Sequence, residues 1–450
     1  MNAIARFAGL ISDPKLTVPP EALEVSRDAL VDTLACMYAG ADQAVTQRSA
    51  AAVQGWASGS CRVFGTGHRL SPPFAALVNG ASAHAFDYDD FDEPANAHPS
   101  AVIFPALLAL AAERETRGLE ILEAHVIGVE VMQRLGEAMN MDHYRRGWLS
   151  TLTLGTLGAA AACARFNRFD HATASAALSL AASMASGLTN QGGYLAKQMN
   201  PGFAAKNGVM AAALAAAGID ASDQVIDGPI SLARSMGRYN AEKFDRALAK
   251  IANPWSILEY GLIMKAYPTC GYTHRLVDAA IDLHTRLPQP IERIRSIELS
   301  VPDYYLDLLV YPRPVTPAEA MFSAEYNVAA ALCRGRFGLD ELEPEAIADP
   351  ELSHIVGLSR VDARTPRDSD IVYDADDPDT VEIVFADDQR IDSRVGLPTG
   401  TRHKPMDEAR RHAKFDRCLR DHETPAVREA LWGQLGQIER ALSLGFLLDG

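Results

Sequence analysis

The sequence predicts a mainly α-helical protein with a large all-α domain and a smaller α+β domain. Long segments rich in alanine, such as LGAAAACA (157–164) and VMAAALAAAG (209–218), are strong helix formers whose small side chains allow close helix packing. After about residue 290, IRSIELSVP (294–302) instead alternates apolar and polar residues as a half-buried strand does. The chain of 450 residues is also too long for one hydrophobic core. We expect residues 1–268 and 400–450 to form the all-α domain and residues 269–399 the α+β domain.

Helical spacing of apolar residues runs through the first part of the chain. Leu23, Leu30 and Leu34 predict a helix from Pro20 to Ala39, which Gly40 ends. Nearly all Ala, Leu and Met side chains of such helices are expected in the core. Further helices are predicted at about 101–116, 119–139, 151–166, 171–187, 203–217 and 240–250.

The last third of the chain combines strands with helices. TVEIVFADDQRIDSRVGLP (380–398) predicts two strands joined by an Asp-Asp-Gln turn. Upstream, Thr316 is a predicted N-cap, Pro317 the first helical residue and Glu319 the end of a capping box, before a helix through MFSAEYNVAAALCRG. Helices at about 405–418 and 425–446 are expected to rejoin the all-α domain.

Composition excludes several classes of partner. The net charge of −16 argues against nucleic acid or an anionic membrane surface, although a local cationic pocket for a small acid remains compatible with it. Six scattered cysteines without a CxxC pair indicate reduced thiols rather than a disulfide framework. No apolar run reaches the roughly 20 residues of a membrane span, and the first residues do not resemble a signal peptide. We therefore expect a cytoplasmic protein.

The segment from Asn79 to Ser100 is the strongest candidate for a functional site. His84 and Asp87 are three residues apart, so in a helix they would share one face and could hydrogen-bond. His98 precedes Pro99 and is expected at a helix entrance. A solvated acidic loop is the plainer interpretation, since charge runs usually face water. The segment crowds two histidines and five carboxylates together: His84, Asp87, Asp89, Asp90, Asp92, Glu93 and His98.

Three further segments contribute cations and a histidine. YRRGW (144–148), GGYLAKQMNPG (192–202) and MKAYPTCGYTH (264–274) fall where loops are expected. Together with the acidic segment they predict a cationic, histidine-bearing pocket that would suit a carboxylate-bearing carbon acid, because cations stabilise the anion left when a base removes a proton. The candidates in these segments are Arg146, Lys197, Lys265, Tyr267, Cys270 and His274.

NGASAHAFDYDD followed by HPSAVIFPALLALAAE resembles the MmgE/PrpD family, whose members include 2-methylcitrate dehydratase, cis-aconitate decarboxylase and iminodisuccinate epimerase. The resemblance extends over nearly the whole chain, through RRGW, GYLAKQMNPGFAAKNG, MKAYPTCGYTH and FSAEYNVAAALCRG. It implies a large all-α domain and a smaller α+β domain with a cleft between them. It also implies a homodimer that uses neither a metal nor an organic cofactor.

The resemblance assigns four residues of this chain to the family's site. Asp87 matches its first aspartate, His98 its histidine before Pro-Ser, Lys197 its loop lysine and Lys265 the lysine of its K-x-[YF]-P motif. This chain departs from the pattern at other positions. Polar residues of many members are replaced by Phe91, Leu149, Asn200 and Cys270.

The preferred hypothesis is a cofactor-independent lyase, dehydratase-like, that removes a proton next to a carboxylate of a small polycarboxylate. His98 would be the acid or base, oriented by Asp87, and Lys197 a second acid or base or a carboxylate clamp. The remaining candidates would bind the substrate: Lys265, Arg146, Tyr267, His274, Asp90 and Cys270.

Three alternatives stay open at this point. Epimerisation or isomerisation of a dicarboxylate needs fewer specialised groups than elimination does. A non-catalytic binder would explain the altered positions. Asp89, Asp90 and Asp92 could also form the magnesium site of an all-α terpenoid synthase, although no second metal motif accompanies them.

Overall fold

A computed structural model describes residues 2–368 and 370–449. Fourteen helices precede residue 260 in this part of the chain. They are α1 (Ala3–Ser12), α2 (Pro20–Ala39), α3 (Ala44–Gln54), α4 (Pro72–Ala83), α5 (Pro99–Ala111), α6 (Gly118–Met139), α7 (Asp142–Arg145), α8 (Ser150–Phe166), α9 (His171–Met184), α10 (Leu195–Gln198), α11 (Asn200–Ala216), α12 (Leu232–Met236), α13 (Ala241–Ala249) and α14 (Ser256–Glu259).

Helices and a sheet alternate in the rest of the chain. The helices are α15 (His274–Arg286), α16 (Pro317–Ala320), α17 (Ala324–Arg334), α18 (Pro344–Ile347), α19 (Pro350–Leu358), α20 (Glu408–Leu419), α21 (Pro425–Leu435) and α22 (Gly445–Leu448). The strands are β1 (Ser58–Arg62), β2 (Arg69–Leu70), β3 (Ile294–Pro302), β4 (Ser359–Arg364), β5 (Asp379–Phe385) and β6 (Arg390–Val395). The architecture is thus mainly α-helical with a small mixed sheet, as predicted.

The sheet has four strands in the order β4-β3-β5-β6. β5 and β6 form the predicted antiparallel hairpin, and β3 lies antiparallel to β5. β4 was not predicted, because its sequence SRVDAR is mostly polar and lacks the alternation of buried and exposed residues: all six of its residues are half-buried or exposed. It pairs parallel with β3 at the edge of the sheet. A short antiparallel pair, β1 and β2, also interrupts the helices of the first part of the chain.

Small residues set the distances between the central helices. α8 packs on α6 where Gly128 faces the carbonyl oxygen of Gly158, and a Cβ atom on Gly128 would lie 2.8 Å from that oxygen. α11 packs on α4 in the same manner, since a Cβ atom on Gly80 would lie 2.7 Å from the Cα atom of Gly202. These helices therefore meet backbone against backbone, as their alanine-rich composition predicts.

Two hydrophobic clusters divide the buried residues. One is built mainly from α1 to α14 and takes in side chains of α20 to α22, among them Phe415 and Leu435. The other surrounds the sheet, α15 and α17, and reaches into the acidic segment through Phe91. The final helices thus pack with the first part of the chain, whereas the domain boundaries themselves stay a prediction.

Two predicted helices are shorter than expected. The helix after Thr316 is broken into α16 and α17, because the side chain of Ser323 accepts a hydrogen bond from the backbone N–H of Tyr326 and starts a new helix. Thr316 caps α16, but Glu319 accepts from Val315 instead of closing the capping box. The last long helix ends at Leu435 rather than near residue 446. None of the helices in the described ranges is both long and apolar enough to cross a membrane.

Candidate active site

The acidic segment lies between α4 and α5, and it is folded inward rather than solvated. Asp89, Asp90 and Asp92 are all completely buried. The expectation of a solvated acidic loop is therefore wrong. His98 lies directly before α5 with Pro99 in the first turn, as predicted.

Asp87 receives ammonium groups from two distant parts of the chain. Lys197 Nζ, on α10, lies 2.5 Å from Oδ2 of Asp87. Lys265 Nζ donates to Oδ1 of Asp87 and, at 2.8 Å, to its backbone carbonyl oxygen. Burial acts to raise the pKa of Asp87, yet the two lysines outweigh it and hold the pKa well below its usual range. Asp87 is therefore an anion that fixes both lysines in place.

His84 does not pair with Asp87, and the reason is a change of backbone direction. α4 ends at Ala83, and Asp87 has a left-handed backbone with φ of 50°, so the two side chains do not share a helix face. Instead His84 Nδ1 lies 2.8 Å from Oδ1 of Asp89. The predicted hydrogen bond between His84 and Asp87 is wrong.

His98 faces both aspartates, and Asp89 is the nearer. Nδ1 of His98 lies 3.1 Å from Oδ2 of Asp89, whereas Nε2 lies 3.6 Å from Oδ1 of Asp87. Burial lowers the pKa of His98 to about 4, since the opposing charge of Asp89 only partly offsets the loss of solvent. At neutral pH the imidazole is uncharged and can accept a proton.

These groups border a small cavity of about 40 Å³. His98, Asp87 and Lys197 contribute to its lining, and the ammonium of Lys197 lies 5.1 Å from the ring centroid of Phe322. A larger cavity of about 240 Å³ lies beside α2 and α20, but none of the predicted site residues lines it. Most other lining side chains of the smaller cavity are aromatic or apolar: Phe91, Tyr144, Leu149, Cys270, Tyr272, Leu308 and Phe322.

Of the remaining candidates, Cys270 and Lys265 belong to this site. Cys270 lines the cavity, and burial raises the pKa of its thiol to about 11, so it is a neutral wall residue rather than a nucleophile. Lys265 lies behind Asp87, with only 1% of its side chain exposed.

The structure does not bring the other predicted substrate-binding residues to the cavity wall. Tyr267 donates to Asp278 at 2.6 Å, and His274 stacks edge-on against Tyr267. Arg146 pairs with Asp142 at 2.8 Å, and half of its side chain faces solvent. The positions of Tyr267, His274 and Arg146 therefore do not support the prediction that they bind the substrate.

Asp90 and Asp92 hold the polypeptide chain rather than a ligand. Asp90 accepts from the backbone N–H and the hydroxyl of Ser100, and Asp92 accepts from the backbone N–H of Ala97. Burial raises the pKa of Asp90 to about 7 and that of Asp92 to about 8. Both carboxyls are thus engaged with the chain around them, which gives no support to the terpenoid synthase hypothesis.

Four ligand atoms in this site are close enough together to surround a cation. The side-chain atoms of His84, Asp87, Asp89 and His98 lie within 4.8 Å of one another. However, Lys197 and Lys265 already contact the two carboxylate oxygens of Asp87, so a divalent ion there would face two ammonium groups. The lysines already supply positive charge beside Asp87, whereas Asp89 faces the two histidines.

Several site residues were missed by sequence reasoning. Asp89 stood within the acidic run, but nothing in its spacing indicated that it would contact both histidines. Tyr144 stands next to the RRGW motif and Tyr272 stands within the MKAYPTCGYTH segment, so both were close to motifs that were noticed. Phe322 begins the FSAEYNVAAALCRG segment but was not singled out, and Leu308 lies outside every segment that was noticed.

Comparison with known families accounts for most of the chain. Residues 5–245 match the family model of the MmgE/PrpD N-terminal domain, and residues 267–432 match that of the MmgE/PrpD C-terminal domain. The two matches leave only short segments at the ends and between them.

Curated relatives carry the name of one enzyme. Cis-aconitate decarboxylase of Homo sapiens is 31% identical over 312 residues, which cover 67% of this chain and 63% of that protein. Cis-aconitate decarboxylase of Aspergillus terreus is 26% identical over 336 residues, covering 70% of this chain and 68% of that protein. A cis-aconitate decarboxylase-like protein of Aspergillus oryzae is 28% identical over 371 residues, covering 77% and 76%. The chain thus spans less than two thirds of the length of the human relative.

Proposed function

The chain belongs to the MmgE/PrpD family, and on that premise we propose that it is a lyase that removes a proton next to a carboxylate of a small carbon acid. The named relatives are decarboxylases, which are lyases, and they support this class of reaction. The single observation that carries the proposal is a buried, uncharged His98 placed between Asp89 and the cavity that Lys197 also lines.

The proposed reaction starts with proton transfer to His98. The lone pair of an imidazole nitrogen takes a proton from the carbon next to the substrate carboxylate, and the electrons of the broken C–H bond enter the carbon–carboxylate system. Asp89 stabilises the imidazolium that forms, as a carboxylate does for the histidine of a catalytic triad. The ammonium of Lys197 compensates the negative charge that builds up on the substrate.

Elimination completes the proposed lyase reaction. The electron pair forms a carbon–carbon double bond as a hydroxyl leaves the adjacent carbon, and Lys197 supplies the proton that lets it depart as water. When product leaves, His98 releases its proton to the solvent and Lys197 takes one up, so both groups return to their starting states. Asp87 takes no proton in this scheme, since its role is to hold Lys197 and Lys265.

Epimerisation is the second candidate, and one observation favours it. His98 lies at the start of α5 and Lys197 on α10, so two proton-transferring groups reach the cavity from separate elements. A proton removed by one could be replaced by the other on the opposite face of the carbon. We also propose, from the family resemblance, a cytoplasmic homodimer that needs no metal or organic cofactor.

The test is proton NMR of the wild-type protein in D₂O with hydroxy acids, unsaturated acids and amino dicarboxylates. Deuterium entering beside the carboxylate together with a new alkene would support the lyase. Deuterium entry with inversion and no alkene would support the epimerase. His98→Gln is the comparison variant, and exposed His403→Gln is its matched control. Exchange by His98→Gln at the wild-type rate, or no exchange by wild-type protein, would overturn the proposal.

A further inference from the structure

The charged groups and the apolar lining of the cavity together limit which ligands it can bind. We propose that the substrate carries a single carboxylate, bound at Lys197, and an apolar substituent that packs against the aromatic and apolar side chains lining the cavity, which we call the wall. This inference rests on the proposed function, and it replaces the small polycarboxylate expected from the sequence with a monocarboxylic acid.

The first argument is the balance of charge. The carboxylates of Asp87 and Asp89 are matched in number by the ammonium groups of Lys197 and Lys265, and His84 and His98 contact Asp89. Of the described residues that line the cavity, Lys197 is the only lysine or arginine. One substrate carboxylate can pair with its ammonium, but a second would lie in a water-poor cavity without a second lysine or arginine to pair with it.

The arginines near this region do not supply that counter-charge. Arg145 is the last residue of α7 and Arg146 follows it, close in sequence to the lining residue Tyr144, yet neither arginine lines the cavity. The guanidinium of Arg145 lies over the ring of Tyr304 at 5.2 Å, and that of Arg146 is paired with Asp142. Lys265 is also withheld, because it is buried behind Asp87.

The second argument is the nature of the wall. Phe91, Leu149, Leu308 and Phe322 present carbon atoms to the cavity, and the ring of Phe91 lies 5.8 Å from that of His98. A substituent on the carbon that reacts with His98 would therefore meet an apolar surface. Burial of methyl or methylene groups there is favourable, whereas a charged group would lose its hydration.

The polar lining groups are already engaged with one another. Asn96 donates its side-chain amide to the hydroxyl of Tyr272 at 3.2 Å. The hydroxyl of Thr151 accepts from the backbone N–H of His98 at 3.3 Å. A second carboxylate would have to displace these hydrogen bonds, which hold His98 and the aromatic wall in place.

Matched pairs of acids test the inference on wild-type protein. 3-Hydroxybutyrate and malate differ only in a terminal methyl group exchanged for a carboxylate, and the same is true of 3-hydroxypentanoate and 3-hydroxyglutarate. Binding is measured by calorimetry and deuterium entry by NMR. We expect the monoacid of each pair to bind about tenfold more tightly or better, a difference that one unpaired charge easily causes.

The outcomes separate the two proposals. Exchange with equal or better binding of the diacids would leave the proposed function intact and overturn this inference. Tighter binding of the monoacids without any exchange would support the inference and overturn the proposed chemistry. No binding of any of the four acids would overturn both.

A cation added to the wall provides an independent test. Leu149→Arg should raise the affinity for the diacid relative to the monoacid about tenfold, because it supplies the missing counter-charge. Leu188→Arg is the matched control, since Leu188 is half exposed and does not line the cavity. An unchanged preference in folded Leu149→Arg protein, judged by its circular dichroism, would overturn the inference.

Discussion

Nδ1 of His98 lies 3.1 Å from Oδ2 of Asp89, and neither atom has another hydrogen-bond partner. The separation is that of an ion pair, but the two groups are not aligned for a straight hydrogen bond. We therefore propose Asp89, rather than the predicted Asp87, as the residue that would stabilise the charged imidazole.

We expect Asp89→Asn to reduce kcat about 100-fold or more with little change in KM, because an amide cannot balance the imidazolium charge. Steady-state kinetics checks this, and nitrogen NMR of the histidine rings reports whether the tautomer has changed. Exposed Asp220→Asn is the control. Loss of substrate binding with unchanged kcat would assign Asp89 to a different role.

Loss of His98 should remove the proton-transfer step itself. We expect His98→Gln to slow deuterium exchange about 100-fold to 10,000-fold, the usual contribution of a general base. In wild-type protein kcat/KM should decline as the pH is lowered through about 4, the pKa of the buried imidazole, because the protonated ring cannot accept a proton. An acid limb that is the same in both proteins would contradict this assignment.

The two lysines at Asp87 should differ in what their loss affects. Lys265→Gln is expected to lower the free energy of unfolding by about 3–5 kcal/mol, because it leaves a buried carboxylate short of one counter-charge. Lys197→Gln should be milder in stability but should both raise KM and lower kcat, since Lys197 reaches the cavity and is the proposed proton donor to the leaving hydroxyl. Urea unfolding and kinetics of both variants check this.

Lys206→Gln, on α11 close to the same region, is the control for removal of a lysine. Equal destabilisation by the two variants at Asp87, with KM unchanged in both, would contradict the division of roles.

Asp92 should make the protein less stable as the pH rises. Its pKa is raised to about 8 in the folded protein, mainly by burial, while in the unfolded chain it is near 3.8. The folded state therefore holds the extra proton between these values, and that stability is lost as pH rises through about 8. We expect the stability of Asp92→Asn relative to wild type to increase from about pH 4 to pH 8 and to stay constant above pH 8.

Denaturant unfolding at pH 5, 7 and 9 measures this trend. The introduced amide could also donate to Oε1 of Gln133, which has no partner in the wild-type protein. Asp220→Asn again serves as control. A stability difference that is constant over the pH range would show that Asp92 is ionised in the folded state.

Local sequence signals predicted the site residues whose positions are set by their neighbours in the sequence. Pro99 after His98 indicated the start of α5, and the family motifs indicated Asp87, Lys197 and Lys265. The pairing of Asp89 with both histidines could not be predicted, because it depends on the left-handed backbone of Asp87, which redirects the residues after it. Aspartate tolerates that conformation only moderately better than other residues, so the sequence carries little sign of it.

The apolar wall of the cavity could not be predicted either, because it brings together residues that are far apart in the sequence. Phe91, Leu149 and Cys270 were noticed as departures from a family pattern, yet only the folded chain places all three on one cavity. Asn200, the fourth departure, lies elsewhere and donates to the backbone carbonyl of Lys197. Similarly, the break before α17 depends on whether Ser323 caps a new helix, and an intact helix was equally compatible with the sequence.

The contact of Gly80 with Gly202 joins the helix that leads toward Asp87 to the helix that follows Lys197. A Cβ atom on Gly202 would lie 2.0 Å from the carbonyl oxygen of Leu77, so the spacing of these helices is fixed by main-chain atoms. The position of Lys197 relative to the carboxylate of Asp87 therefore depends little on the surrounding side chains. Directed evolution toward new substrates can therefore randomise the wall residues freely while leaving these two glycines untouched.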